Sequence, residues 1–442
     1  TSTAATTRAI TGLRLLACTP SIESGSSVSA SDSRNRRGTG NHRFRVGPGL
    51  LITAAFIGPG TVVTASKAGA ERGCDLLWAI LFACLGTIVL QSLAARIGIV
   101  SGKGLGEAIR ETLAESRVLT PAVMLVIAAI GVGNAAYQTG NLTGAATGIC
   151  AGVGGTPELW LMMIVACTGA MILVGRYRAL HRVLVGLVAL LSIAFLSTAL
   201  FSLPAASRIV SGLAVPRFNL DDLYLVLALV GTTIVPYNLF LHASSAASTW
   251  KGEPTSESIV QSDYDTTLSV CLGGLITASI LVTASTAFFD TGTAWTSIDE
   301  ISRQLEPTLG RASSVMFAIG LFAAGLTSSI TAPLATAYAV CGCLGWSADP
   351  SGRRFRAIAL SVVAIGGATA FVFGKSPAAT IVFAQLANGL LLPIVAVFLL
   401  VVVTRSGNTE TERLGGLRLQ LARVVVAVVA LLGLWRILTL WV

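Results

Sequence analysis

The chain has 442 residues, 53% hydrophobic and 12% charged, with a formal net charge of +9 and a mean hydropathy of +0.78. A soluble domain carries about 25% charged residues. The 30 Lys and Arg and 21 Asp and Glu present cannot solvate a surface of this size, which excludes an ordinary soluble enzyme. So many apolar residues exclude general disorder, and basic residues placed in short gaps between apolar runs indicate a polytopic membrane protein, not a nucleic-acid binder.

Residues 1–46 are rich in Ser, Thr and Arg, hold no apolar run of spanning length, and read as a disordered, basic cytoplasmic tail. A span needs about 20 residues. Apolar segments of that order follow near 48–71, 76–97, 119–146, 158–174, 183–204, 222–248, 264–289, 313–341, 356–373, 378–404 and 421–441. They predict an all-α integral membrane protein with eleven transmembrane helices. The eight cysteines are scattered without paired CxxC spacing beside histidine, so neither a zinc site nor a disulfide framework is expected.

With the N-terminus inside, the cytoplasmic loops hold Lys103, Arg110, Arg117, Arg176, Arg178, Arg182, Lys251, Arg353, Arg354, Arg356, Arg405, Arg413 and Arg418. The opposite loops hold only Arg72, Arg208, Arg217, Arg303, Arg311 and Lys375. The positive-inside rule then predicts a cytoplasmic N-terminus and an outside C-terminus, in the plasma (inner) membrane.

Two spans are interrupted. Ile57-Gly58-Pro59-Gly60-Thr61 lies within the first, and Ile234-Val235-Pro236-Tyr237-Asn238 within the sixth. Proline removes a backbone donor and glycine leaves helical geometry cheaply. Unwound backbone at membrane depth is tolerated only where it lines a cavity or is buried in protein. Two proline kinks would give the same residues, but breaks at matching positions of two five-span halves are the pattern of an inverted-repeat transporter with a midplane site. The expected fold is therefore a LeuT-like 5+5 inverted repeat with broken helices 1 and 6, plus one extra helix. The repeats are expected over 47–204 and 222–404, and the extra helix over 421–441.

Around the breaks the candidate substrate-binding residues are Gly58, Gly60, Thr61, Thr232, Val235, Tyr237, Asn238 and Gln385. In the third span Asn134, Gln138 and Asn141 share one helical face with Tyr137 adjacent, which fits either a polar pathway or helix–helix hydrogen bonding. His242 lies one turn from Asn238, Asn388 is three residues from Gln385, and Thr327 begins a run of hydroxyls that either bond back to their own helix or solvate an ion. These complete the candidate pathway. Lys67, in the outer half of the first span, either reaches an outer vestibule or snorkels. Asp263 and Asp265 read as boundary charges at the start of the seventh span.

Several ordered motifs resemble the Nramp (natural resistance-associated macrophage protein) family of divalent-metal transporters. These are Val46-Gly47-Pro48-Gly49-Leu50 with Ala68-Gly69-Ala70, Pro236 through Ser245, Gly320 through Gly325 with Ser328 through Thr331, and Gln385. The likeness covers roughly residues 46–404. It implies a secondary transporter of divalent metal cations working by alternating access. Against the family's Asp-Pro-Gly-Asn motif, this chain reads Gly58-Pro59-Gly60-Thr61. The family's sixth-helix methionine aligns with Val235 and its first histidine with Tyr237. The third-helix Asp and Glu align with Asn134 and Tyr137. No metal-ligand set can be assigned, and the expected transport is not selective for transition metals and is weakly or not proton-coupled.

The alternative is a small anionic, zwitterionic or neutral solute held at the glycine-lined break, since half-helix N-termini favour anionic groups. No nucleotide-binding loop or nucleophile–base constellation stands out, so no cofactor, nucleic-acid partner or enzymatic chemistry is expected. The partners expected are the lipid bilayer and a small ion or small-molecule substrate, with oligomeric state left open.

Overall fold

The computed structural model describes residues 57–175, 178–252, 255–295, 297–405 and 416–438. The expected tail over 1–46 and the first half of the first span lie outside them. Every regular element described is helical. The long or paired helices, in chain order, are α1 (Pro59–Arg72), α2 (Leu77–Ser101), a short α3 (Leu105–Thr112), α4 (Leu119–Val153), α5 (Pro157–Val174), α6 (Arg178–Phe201), a short α7 (Ala206–Ala214), α8 (Leu223–Thr233), α9 (Pro236–Thr249) and α10 (Thr255–Ala284). A 3₁₀ stretch over Ile298–Leu305 and the one-turn α11 (Glu306–Leu309) lead into α12 (Ser313–Leu344), α13 (Arg353–Phe373), α14 (Pro377–Arg405) and α15 (Gly416–Leu438). Among the described residues ten helical segments are long and apolar enough to span a bilayer, with α8 and α9 forming one of them. The interrupted first span is represented by α1 alone.

Several boundaries differ from those read in the sequence. The seventh span was expected from residue 264, yet α10 begins at Thr255. Asp263 lies inside α10 and accepts hydrogen bonds from Arg96 and Arg418. The third span runs to Val153, making α4 35 residues long. At 1.5 Å per residue that is about 52 Å, well beyond the roughly 30 Å hydrocarbon core, so α4 tilts or projects from the bilayer.

Small residues set how closely the helices approach. Gly140, Gly144 and Gly148 recur every four residues along one face of α4. A methyl at Gly144 would overlap the Pro59 ring, and one at Gly148 would strike the α12 backbone at Phe322. This spacing lets helices touch backbone to backbone where lipid supplies no hydrophobic drive. Helix α4 thus lies against α12, α13 and α14, while α1, α2, α9 and α10 pack together beside them. The start of α1 is held in the seam between these groups.

Candidate substrate site

Both breaks are real ends of helices. Gly58 is extended (φ −98°, ψ 178°), and Pro59 opens α1 as a residue with no N–H to leave unsatisfied. The first helical bond there runs from the Val62 N–H to the Gly58 carbonyl at 3.2 Å. In the sixth span α8 closes with the Ile234 N–H on the Val230 carbonyl at 2.7 Å. The chain extends through Val235 (φ −79°, ψ 121°), and Pro236 opens α9. The Thr87 hydroxyl of α2 reaches the Thr233 carbonyl at 3.4 Å and takes up one of the carbonyls that the break leaves without a helical donor.

The two breaks face each other. Thr61 of α1 and Thr232 of α8 join their hydroxyls at 2.8 Å. Gln385 of α14 lies across the start of α1 so closely that a Cβ at Gly60 would overlap its amide. A Cβ at Gly58 would stand 3.1 Å from Ser328 Oγ, 3.4 Å from the Tyr137 hydroxyl and 3.9 Å from Asn141 Oδ1. The rings of Tyr137 and Tyr237 meet with centroids 5.5 Å apart, and the Tyr137 hydroxyl faces those of Tyr237 and Ser328. The structure therefore brings Gly58, Gly60, Thr61, Thr232, Tyr137, Asn141, Tyr237 and Gln385 together, with Val235 buried at the second break.

Other candidates serve the frame. The Asn134 amide donates to Thr336 of α12, and Gln138 Nε2 donates to the Ser329 carbonyl at 3.1 Å. Thr327 gives its hydroxyl back to the Ala323 carbonyl at 2.7 Å. Ser328, one residue on and about 100° round the helix, is the hydroxyl that turns to Gly58.

The amides of Asn141, Asn238, Gln385 and Asn388 have neither nitrogen nor oxygen hydrogen-bonded, and all four side chains are buried. Both His242 ring nitrogens are likewise unpartnered. An unmet buried polar group costs about 1–3 kcal/mol, and native interiors seldom keep several together. Asn141, Asn238 and Gln385 stand at the two helix breaks, where their polar atoms can meet water or a solute. The chemistry there is neutral. Among the described residues no three His, Cys, Asp or Glu side chains gather, and residues 47–57 of the first span contain no ionisable side chain.

On either side of the gap, Gln304 and Arg96 were not singled out from the sequence, although Lys67 and Asp263 were. On one side, Gln304 of the 298–305 stretch donates to Ser66 of α1 at 2.8 Å and accepts from Thr283 of α10 at 3.0 Å, fastening that stretch over α1. Nothing in the period of the sequence marks a loop glutamine for such a role. Lys67 is paired with Glu71 at 2.7 Å nearby. On the other side, Asp263 accepts from Arg96 at 2.7 Å and from Arg418 at 2.6 Å, tying α10 to α2 and α15.

Opposed helix ends with polar groups converging between them, in a bundle of long apolar helices, are the arrangement of LeuT-fold membrane transporters. The Nramp family model, "Natural resistance-associated macrophage protein-like", matches residues 49–439. The chain belongs to the Nramp family. Among its relatives, the divalent metal cation transporter MntH of Acidiphilium cryptum is 27% identical over 84% of this chain and 84% of its own length. MntH of Bacillus subtilis is 28% identical over 77% and 79%. These relatives are transporters, not enzymes. The fold matches a crystal structure of an Eremococcus coleocola manganese transporter with TM-score 0.62, at 20% identity over 89% of this chain and 94% of that one. It also matches MhsT in complex with L-phenylalanine with TM-score 0.58, at 16% identity over 89% and 100%.

Proposed function

We propose that this chain is a secondary transporter of a divalent cation, and that it carries a hard ion with part of its water shell. The MntH relatives, named for divalent metal cations, support the substrate class. The observation that carries the finer reading is the set of unpartnered neutral amides at the two breaks, Asn141 beside Gly58, Gln385 beside Gly60 and Asn238 in the first turn after Pro236, with no carboxylate among them. Amide, hydroxyl and carbonyl oxygens are hard ligands that suit magnesium or calcium, whereas soft sulfur favours transition metals. Where resemblance places a sulfur ligand, this chain has Val235. Without a carboxylate the site cannot repay full dehydration of a doubly charged ion, so bound water stays and supplies part of the coordination. Those waters would satisfy the amide nitrogens as well as the oxygens. The C-terminal end of α8 aims its negative pole at the gap and favours a cation there.

Weak or absent proton coupling belongs to the same reading. Asn134 and Tyr137 stand where the family resemblance implies an Asp and a Glu. Asp263, the carboxylate at the inner end, is bound to two arginines. The topology proposed has the N-terminus in the cytoplasm and the C-terminus outside, following the arginine distribution.

A second reading rests on α1 and α9. Both open at the gap with no side-chain cap, presenting positive poles that suit the carboxylate of a small anionic or zwitterionic solute. Proteoliposome uptake separates the two. The cation reading expects Mg²⁺ or Ca²⁺ flux at least equal to Mn²⁺ flux, without acidification of the lumen. Absence of flux for all three ions overturns it. Mn²⁺-selective flux with substrate-driven acidification overturns its hard-ion, uncoupled form.

A further inference from the structure

Helix α12 passes beside the first break, and its run of hydroxyls holds one exception. In a membrane helix a serine or threonine commonly bonds back to the carbonyl four residues earlier. Thr327 does so to Ala323 at 2.7 Å, Ser329 to Gly325 at 2.7 Å and Thr331 to Thr327 at 3.1 Å. Ser328 does not. The residue is 1% exposed, and its Oγ has no hydrogen-bond partner. The hydroxyl turns instead to the extended backbone at Gly58. The point that a Cβ on Gly58 would occupy lies 3.1 Å from Ser328 Oγ, 3.4 Å from the Tyr137 hydroxyl and 3.9 Å from Asn141 Oδ1. The Asn141 amide is also buried without a partner. This rotation of α12 is held from the next residue. Pro333 has no N–H for the Ser329 carbonyl, and Gln138 Nε2 of α4 supplies one at 3.1 Å. That bond sets α12 against α4 at this level and keeps Ser328 opposite Tyr137 and Asn141.

We infer that Ser328 is a specificity-determining residue of the transport site, whose hydroxyl accepts a hydrogen bond from a water carried on the bound ion. The inference rests on the divalent-cation reading above and adds a contact on α12 that the amides at the breaks do not supply. A bare hard cation needs oxygens at about 2.0–2.6 Å, whereas a hydrogen-bonded water sits at about 2.5–3.0 Å. The spacing of the oxygens beside Gly58 lies nearer the second. Water polarised by a divalent ion is a strong donor, and a buried hydroxyl with no other donor to accept from is suited to it. A contact made through water favours an ion that keeps its shell. Mg²⁺ dehydrates reluctantly, so losing the Ser328 hydroxyl should cost Mg²⁺ more than Mn²⁺.

Proteoliposome uptake against Mg²⁺ and Mn²⁺ concentration tests this on the whole chain, with Ser328→Ala and Ser329→Ala beside wild type. Ser328→Ala is expected to raise the half-saturation concentration for Mg²⁺ about fivefold, the usual worth of one net hydrogen bond, with the maximal rate unchanged. The rise for Mn²⁺ is expected to be smaller. Ser329→Ala, which loses only a hydroxyl bonded back to its own helix, is expected to change neither. A lower maximal rate at unchanged half-saturation would show a packing role and overturn the proposal. A thiol gives a second readout that packing alone does not move. Cd²⁺ is expected to raise the melting temperature of Ser328→Cys in detergent and not that of Ser329→Cys, because soft sulfur takes a soft ion. An equal response of the two thiol variants overturns the proposal. No uptake of either ion by wild type overturns the divalent-cation reading and this contact with it. Normal uptake by wild type with Ser328→Ala unchanged overturns the contact alone.

Discussion

Placing a carboxylate at the first break with Gly58→Asp probes the neutral site directly. The new Cβ would stand 3.1 Å from Ser328 Oγ and 3.4 Å from the Tyr137 hydroxyl. That is tight, but a serine rotamer change relieves it, and the fold should survive. The new carboxylate would gain donors from Ser328, Tyr137 and the Asn141 amide. It would still be a buried charge with no counter-ion, which costs about 3 kcal/mol or more of stability when nothing offsets it. A divalent ion about 4 Å away returns roughly 8 kcal/mol of Coulomb attraction at an effective dielectric of 20, before its own dehydration is subtracted. The expected result is a variant that melts earlier than wild type in chelator. Mn²⁺ or Mg²⁺ should then restore it far more than wild type, by about 2.7 kcal/mol at a hundredfold excess over Kd. Adding Val235→Met should shift the preference toward Mn²⁺. Thermal melts in detergent, with chelator and with each ion, read this out. If Gly58→Asp costs no stability in chelator and responds to ions no more than wild type, the break does not face the ion and the assignment of the site fails.

Gly60→Ala is expected to push the Gln385 amide out of place, cost about 1–3 kcal/mol as overpacking, and remove substrate-dependent stabilisation. Unchanged uptake in that variant would exclude Gln385 from the site. Asp263→Asn should lower stability by about 3 kcal/mol, because Arg96 is left buried beside a neutral partner. A loss below about 1 kcal/mol in denaturation would show the network to be solvated. Gln304→Leu should strip Ser66 and Thr283 of their shared partner. Each lost bond is worth about 1 kcal/mol, so hydrogen exchange of residues 298–305 should speed up, and unchanged exchange would contradict a closure made by this stretch.

How far the sequence carried varies by element. The two breaks were legible because Pro59 and Pro236 change backbone chemistry locally, and no distant contact can return the missing N–H. The helix ends were less legible. Asp263 reads as a boundary charge, and only the structure shows that Arg96 and Arg418, far off in the chain, hold it. The polar face of α4 was visible as a spacing, but its division of labour was not. Asn134 and Gln138 bind α12, while Asn141 looks into the gap, and that depends on which residues of α12 stand opposite. The choice between Thr327 and Ser328 turns on helix rotation alone. Gln304 was invisible, being a polar residue in a loop whose meaning comes from Ser66 beneath it.

The central claim is that a carboxylate-free cluster of amides binds a hard divalent cation. Calorimetric titration of the wild-type chain with Mg²⁺, Ca²⁺ and Mn²⁺, repeated on Asn238→Ala, tests it most directly. The account predicts weak binding of Mg²⁺ or Ca²⁺ at least as strong as that of Mn²⁺, and its loss in Asn238→Ala. No heat with any of the three ions at millimolar concentration, or tight Mn²⁺ binding indifferent to Asn238, would contradict it.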